Sequence, residues 1–374
     1  MQARFPNFNN ILALGLAAGL SLAAAVPAQV QTAALTPETV ALSNPDSPVR
    51  GPVFGYVFDA RTRLLRPIFG VPGAAYFSAA LNLGFEVKEL VVSPKQDSAI
   101  AVEAGSGRTL FVRLSGSLAE SEEIVGVMPG ADRIVFSPSG ESAALYFRDT
   151  RQAQFLSGLR GVPESGATVD LSSLSGVLTA LAVADDGETL LAAGSSRDGG
   201  EVRAFSADGS SRAVASIGRA PSMSFFHGST DAVVADMDRS EVILARDVAG
   251  SAQTSVISSA LDGVRQPVAV AVSSDNARVF AASLETGSVA TIPSAGGAVA
   301  LTDCSCAPRT LAPLSGDSIF RLSDDPRSAI HVLDARSPSS VSSNAVVAPR
   351  VLFIPAVADE AVTAASVPRT ARGR

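Results

Sequence analysis

The stretch Ser137-Pro138-Ser139-Gly140-Glu141 decides the fold, because phrases of the same kind return along the chain at almost constant spacing. Each copy lies between two apolar runs. The second residues of five copies stand at positions 94, 138, 185, 228 and 274, which gives steps of 44, 47, 43 and 46. A period of about 40 to 50 residues with several short strands per unit is typical of a β-propeller. The other copies are 93–97, 184–188, 227–231, 273–277 and a shortened one at 314–317.

The repeats predict an all-β fold made of four-stranded antiparallel blades. Six fuller repeats follow an N-terminal hairpin, predicted at 53–59 and 64–69, and a connecting stretch from 71 to 86. Residues 52 to 356, divided by a period near 44, give just under seven units. We therefore expect seven blades, with the hairpin supplying part of the seventh blade beside the last repeat and protecting a sheet edge there. Six blades, with the hairpin as an edge extension, is the alternative.

The N-terminus has the pattern of an export signal. Arg4 precedes an apolar stretch from 11 to 25, and Val26-Pro27-Ala28 matches the small-residue cleavage pattern. We expect a signal peptide at 1–28, a disordered spacer at 29–50, the propeller at 51–356 and a disordered tail at 357–374. A retained membrane anchor is the alternative to cleavage. The expected location of the mature protein is the periplasm or the outside of the cell, with no membrane-spanning segment left.

Composition narrows the classes of partner. The net charge is −7 and the isoelectric point is near 5.0, whereas a phosphate-binding surface needs clustered Lys and Arg. We therefore expect no nucleic acid partner. Hydrophobic residues make up 47% of the chain and charged residues 17%, which predicts a folded chain over most of its length, and we expect a monomer.

Three repeat cores resemble a known kind of bacterial propeller. The segments 137–146, 184–193 and 273–282 read SPSGESAALY, ADDGETLLAA and SSDNARVFAA. They are similar to the repeats of secreted propellers of the YVTN and lactonase-like kind, a WD40-like repeat type. The resemblance covers roughly 88–335 and implies the fold. It implies no site residue, because no enzyme motif of those proteins can be placed on this chain.

Catalytic side chains are scarce. The two histidines, His227 and His331, are about one hundred residues apart. A Ser-His-Asp hydrolase needs His beside a nucleophile and a carboxylate, and no Gly-x-Ser-x-Gly elbow is present. With two His and two Cys in the chain, the spacing indicates no metal site. No Gly-rich phosphate loop follows a strand and opens a helix, so we predict no catalytic residue and no cofactor.

The two cysteines, Cys304 and Cys306, form a candidate disulfide. An even number of cysteines in an exported protein usually indicates a bridge. A Cys-x-Cys bridge closes a very small ring, so loop entropy predicts little stabilisation from it. Free thiols, a soft-metal site and a redox-active pair are the alternatives.

Acidic residues concentrate in the turns between second and third strands, which share one face of a propeller. Solvated turns are the simpler interpretation, and an acidic rim that attracts a cation or a basic partner is the sharper one. The candidate rim residues are Asp198, Asp236, Asp238, Glu285, Asp324 and Asp325.

Three functional hypotheses follow. The preferred one is an exported, non-enzymatic scaffold whose disc faces bind a protein or an extracellular polymer. The second is a lactonase-like or other hydrolase that works in the central channel with carboxylates and arginines, assembled from several blades. The third is a structural part of the cell envelope, which predicts a large apolar patch on one face.

Overall fold

The computed structural model describes residues 51–336 and 349–357, and within them the chain forms seven antiparallel sheets arranged as the blades of a propeller. Consecutive strands pair within each blade. The only helical turn of the described part is a single 3₁₀ turn, Ala260–Asp262. The seven-bladed prediction is confirmed, and the six-bladed alternative is wrong. The described part contains no helix that is both long and apolar enough to span a membrane.

The strands are numbered in chain order. Blade 1 contains β1 (Val53–Asp59), β2 (Leu64–Val71) and β3 (Ala74–Phe77). Blade 2 contains β4 (Val87–Val92), β5 (Ser98–Glu103), β6 (Thr109–Ser115) and β7 (Leu118–Glu123). Blade 3 contains β8 (Arg133–Phe136), β9 (Ala143–Phe147), β10 (Gln152–Ser157) and β11 (Glu164–Asp170). Blade 4 contains β12 (Val177–Val183), β13 (Thr189–Ser196), β14 (Gly199–Ser206) and β15 (Ser211–Ile217). Blade 5 contains β16 (Ser222–Phe225), β17 (Ala232–Asp236), β18 (Glu241–Arg246) and β19 (Gln253–Ser259). Blade 6 contains β20 (Pro267–Val272), β21 (Arg278–Ser283), β22 (Ser288–Pro293) and β23 (Ala300–Asp303). Blade 7 contains β24 (Ala312–Pro313), β25 (Ile319–Arg321), β26 (Ile330–Asp334) and β27 (Arg350–Ile354).

The first strand of each four-stranded blade lines a central channel, and the second strand is the most deeply buried. Every residue of β9 is buried, for example, whereas the outermost strand β11 is mostly exposed. A strand that is packed on both faces needs small or apolar side chains throughout rather than alternation. The uniformly apolar second strands therefore follow from their position between two neighbouring blades.

The core consists of seven apolar layers, and each layer lies between two neighbouring blades. Ile100 and Phe111 of blade 2 pack with Leu145 of blade 3 in one of them. The layer between blades 7 and 1 closes the ring, and there Val57 packs with Ile330. Full burial of one large apolar side chain stabilises the fold by about 1.5–3 kcal/mol. Each blade is therefore held by its two neighbours, and the chain ends are joined by the same packing as the rest.

Blade 1 differs from the prediction in its number of strands. The predicted hairpin is present as β1 and β2, but the third strand β3 lies inside the stretch 71–86 that was predicted as a connection. Within the described residues, blade 1 is a three-stranded sheet that shares no sheet with blade 7. The predicted segments 1–28 and 29–50, and the predicted tail 357–374 except for Val357, lie outside the described residues, so the domain boundaries stay predictions.

The turn of blade 5 starts one residue earlier than the repeat pattern predicts. The backbone N–H of Phe226 donates to the carbonyl of Asp231 (2.9 Å), just as Ser93 donates to Ser98 (2.8 Å) in blade 2. Phe226, and not His227, therefore corresponds to the first Ser of the other copies. The pattern could not show this, because the fourth copy has neither Ser nor Pro at its start.

Candidate functional site

A central channel runs between the blades of the described part, with a cavity volume of about 1450 Å³. Residues of all seven blades line it. We call the end where first strands turn into second strands the lower mouth; it includes Lys95, Ser139 and His227. The opposite end, where second strands turn into third strands, is the upper mouth; it includes Arg61 and Asp325.

The wall between the mouths is mostly apolar, because the innermost strands supply it. Side chains of these strands pack into the layers between neighbouring blades, and residues of the same strands also line the channel. The wall residues that are half-buried, and so keep contact with the channel, include Val91, Val135, Ser224 and Val268.

Among the residues that the structure describes, Glu89 on β4 is the one acidic side chain that the innermost strands contribute to this wall. Burial raises the pKa of Glu89 above its ordinary value, although the charges of Lys88 and Arg133 act in the opposite direction. Burial also disfavours the charged form of Arg133, and together with repulsion from Arg148 it lowers the pKa of Arg133 below its ordinary value. Arg133 also donates a hydrogen bond of 2.8 Å to the carbonyl of Thr179. Titratable groups with perturbed pKa values in a cleft are candidates for functional residues.

The two histidines line the channel at opposite ends. His227 lies in a turn at the lower mouth, and His331 lies near the start of β26, beside the upper mouth. A strand of five or six residues spans roughly 17–20 Å, so the two rings do not converge. The expectation that the chain has no catalytic residue stays a prediction.

Five of the six candidate rim residues have an arginine partner. Asp236 is fully buried and accepts a hydrogen bond of 2.8 Å from the N–H of Gly218, so its side chain stabilises the fold and is not part of an exposed rim. The hydrogen bond from Arg327 lowers the pKa of Asp325. Asp198 lies exposed in a turn. The five ion pairs are Asp236–Arg239, Asp238–Arg219, Glu285–Arg265, Asp324–Arg321 and Asp325–Arg327.

These pairs offset much of the negative charge that the acidic residues alone suggest. Surface ion pairs contribute little stability, about 0–1 kcal/mol each, but they cancel the local field. The acidic rim stays a prediction. Only Asp324 and Asp325 of the six lie against the channel.

Cys304 and Cys306 are joined by a disulfide, with their Cα atoms 5.1 Å apart. The pair lies in the connection between β23 and β24, so it precedes the innermost strand of blade 7. Cys304 is buried in the layer between blades 6 and 7, and Cys306 reaches the channel. Among the described residues, no three His, Cys, Asp or Glu side chains are arranged to hold a metal ion.

Sequence reasoning did not single out Glu89 or Gln96. A signal for Glu89 exists, since it interrupts the apolar run of an innermost strand. No signal exists for Gln96, because its partners are Tyr56 and Pro313, far away in the chain. Only the closed ring brings them together.

Comparisons with known proteins establish the fold and leave the activity open. No protein-family model matches the chain, and no curated protein matches it in sequence. A solved structure from Lactobacillus plantarum is 13% identical, with a TM-score of 0.55, and the match covers 81% of this chain and 96% of that one. A functionally unknown protein from Desulfotomaculum acetoxidans is 13% identical, with a TM-score of 0.53, over 82% of this chain and 100% of that one. The WD40 repeats of RRP9 are 12% identical, with a TM-score of 0.50, over 72% of this chain and 80% of that chain. The predicted resemblance at the level of the fold is confirmed: this chain is a seven-bladed β-propeller.

Proposed function

We propose that the protein is an exported, non-enzymatic binding propeller whose ligand enters the central channel. The observation that carries the proposal is a cavity of about 1450 Å³ with an apolar wall between two polar mouths. Ligand sites are typically concave, mostly apolar and roughly 300–1,000 Å³ in volume, with a few polar groups that orient the ligand. The channel exceeds this range, so it has room for a slender apolar part of a larger partner.

The arrangement of charges supports binding over catalysis. The histidines lie at opposite mouths, and most acids at the upper face are paired with arginine. The expected partner, a protein or an extracellular polymer, would therefore insert an apolar group and leave its polar parts at the mouths.

Ser224 provides a test of the channel. It is half-buried on β16 and lines the channel, and a Phe side chain there would occupy part of the cavity. We expect Ser224→Phe to weaken the binding of the apolar dye 8-anilinonaphthalene-1-sulfonate, measured by fluorescence titration. The matched control is Ser117→Phe, which places the same side chain in an exposed turn outside the channel. Equal dye affinity of the two variants, with both verified as folded, would contradict the channel as the binding site.

The partner is sought with the same pair of variants. The protein beginning at residue 29 is immobilised and exposed to cell-envelope extract and spent medium, and bound material is identified by mass spectrometry. A partner retained by Ser117→Phe and lost by Ser224→Phe supports the proposal. Export is tested separately by sequencing the N-terminus of the mature protein, for which we expect Gln29.

A hydrolase is the second candidate, and Glu89 is the observation that favours it. A half-buried carboxyl with a raised pKa that faces the channel is the arrangement expected of a general acid. The assay is hydrolysis of a panel of lactones and chromogenic esters. Activity lost in Glu89→Gln and kept in the exposed control Glu188→Gln would favour the hydrolase over the scaffold.

A further inference from the structure

The two cysteines of the disulfide lie in different surroundings. Cys304 is 3% exposed and packs in the layer between blades 6 and 7, together with Phe280 and Leu322. Cys306 packs only partly against that layer and lines the central channel near the upper mouth. Of the two residues, Cys306 is therefore the one that a molecule in the channel meets first.

Stability gives little reason for this bridge. It closes a ring over only three consecutive residues, and loop entropy rewards long loops. Other bonds also hold the turn: the N–H of Ser305 donates to the carboxylate of Asp303 (2.8 Å), and the N–H of Cys304 donates to the carbonyl of Gly287 (3.1 Å). The two cysteines therefore stay close together when the bond between them is broken, so breaking it is reversible.

The backbone of Cys306 is positioned by the neighbouring turn. A Cβ atom on Gly287, in the turn between β21 and β22, would stand 2.9 Å from the carbonyl oxygen of Cys306. That carbonyl therefore packs closely against the turn. Further along the connection, the N–H of Arg309 donates to the carbonyl of Leu322 (2.9 Å). The connection is thus held on both sides of Cys306.

Arg309 brings a positive charge to the same part of the channel. It follows Cys306 by three positions, is exposed and lines the channel. Within the described residues its guanidinium forms no ion pair, whereas the neighbouring Arg321 pairs with Asp324. The attacking species in disulfide exchange is a thiolate, and a free positive charge beside its path attracts it.

We propose that Cys306 is a thiol–disulfide exchange site that opens into the central channel, and that a small anionic thiol entering by the upper mouth past Arg309 forms a mixed disulfide with it. The site goes beyond the binding function proposed above and does not depend on which ligand the channel holds.

The exchange balances with the thiol as the only reductant. Its thiolate attacks Sγ of Cys306, a new S–S bond forms, and Cys304 leaves with the electron pair of the old bond and takes a proton from water. The apolar layer around Cys304 disfavours a charged thiolate, so Cys304 attacks the mixed disulfide slowly and the adduct lasts. A second thiolate that attacks the external sulfur releases Cys306, and two thiols have then become one disulfide.

The first test locates the adduct in the parent protein. The protein is incubated with 2-mercaptoethanesulfonate and quenched in acid, the remaining thiols are blocked with N-ethylmaleimide, and fragmentation mass spectrometry assigns both cysteines. We expect the mixed disulfide on Cys306 and the maleimide on Cys304, with a preference of about tenfold or more because the attacked sulfur must be accessible. An even distribution, an adduct mainly on Cys304, or no adduct would overturn the proposal.

The second test examines the route past Arg309. Arg309→Glu should slow adduct formation about fivefold at low ionic strength, and less in high salt, because a repulsive charge replaces an attractive one. Arg309→Lys should react like the parent protein. The matched control is Arg197→Glu, the same change of charge at an exposed turn residue outside the channel. Equal rates for Arg309→Glu and Arg197→Glu would overturn entry past Arg309.

A thiol too wide for the channel provides the third test. A folded protein with one exposed cysteine is offered at the same thiolate concentration as the small thiol. We expect no mixed disulfide with it, because its cysteine cannot enter the channel. Adduct formation at the rate of the small thiol would show that Cys306 is reached from the outer surface, which would overturn the channel as the route.

Discussion

The side-chain oxygen of Gln96 accepts a hydrogen bond of 2.8 Å from the backbone N–H of Tyr56, forty residues earlier in the chain. Its side-chain nitrogen donates to the carbonyl of Pro313 (2.9 Å) in blade 7 and to that of Ser93 (3.1 Å) in its own turn. One buried amide of blade 2 thus connects blade 1 with blade 7. The N–H of Tyr56 therefore has its partner in the neighbouring blade.

We expect Gln96→Asn to lower the free energy of unfolding by about 2 kcal/mol, because the shorter amide leaves a buried N–H without a partner. Asn is chosen because residue 96 has a φ of 61°, a conformation that Asn tolerates. Urea denaturation is the measurement, and the exposed neighbour Lys95→Ala is the control, expected within about 0.5 kcal/mol of the parent. A Gln96→Asn variant as stable as the control would show that the amide does not hold the ring.

Asp185 links three blades at the lower mouth. Its carboxylate accepts hydrogen bonds from the N–H of Ser139 (2.7 Å) in blade 3 and from the N–H of Gly228 (2.8 Å) in blade 5. Burial acts against ionisation, but these hydrogen bonds outweigh it and hold the pKa of Asp185 below its ordinary value. The ionised form is therefore the one that the fold favours.

Asp185→Asn should lower stability at pH 7 by about 1–2 kcal/mol, since an amide oxygen can accept only part of what the carboxylate accepts. Because the pKa is lower in the folded state, this stabilisation is present above the ordinary pKa of Asp and is lost as the pH falls through the folded value. The difference between parent and variant should therefore shrink in acid. Thermal unfolding across the pH range checks this, with exposed Asp198→Asn as control; a difference that does not depend on pH would argue against the ionised carboxylate as its source.

Glu89 should behave in the opposite way. Its pKa is raised by burial, so the folded state binds the proton more tightly than the unfolded state does, and stability falls as the pH rises between the two pKa values. We expect Glu89→Gln to stabilise the protein at pH 7 by less than about 1 kcal/mol, because the carboxyl is partly solvated and screened. The gain should vanish in acid. A loss of stability at pH 7 would mean that the attraction of Lys88 and Arg133 outweighs burial.

The disulfide between Cys304 and Cys306 should contribute about 1–2 kcal/mol, less than the roughly 3 kcal/mol of a 15-residue loop, because it closes a very short one. Reduction should therefore lower the melting temperature by only a few degrees. The double variant Cys304→Ser, Cys306→Ser should match the reduced protein in calorimetry. Unfolding upon reduction would show that the bridge holds the connection between blades 6 and 7 in place.

The repeat phrase predicted the blades well, because turn chemistry and burial act locally. Pro94, Pro138 and Gly140 suit tight turns, and the apolar runs beside them become buried strands wherever the ring places them. The third strand of blade 1 was missed. β3 has four residues and only Ala75 is buried, so it leaves almost no apolar pattern to read.

The candidate rim shows the opposite case. Asp238 and Glu285 were identified from their turns, but their partners Arg219 and Arg265 come from the connections before the first strands of the same blades. Taken alone, an acidic turn predicts a negatively charged surface. The fold then places an arginine of the neighbouring connection beside it, and the two charges pair. The sequence contains both halves of each pair and no local rule that joins them.

By itself, then, the sequence determined the class of fold, the repeat period and the position of most strands, since these depend on interactions within one blade. The tertiary structure alone decided which side chains line the channel, which acids are paired, and that Gln96 connects blade 1 with blade 7. Those relationships form only when the ring closes, because closure brings together residues such as Gln96 and Pro313, which are separated by 217 positions in the chain.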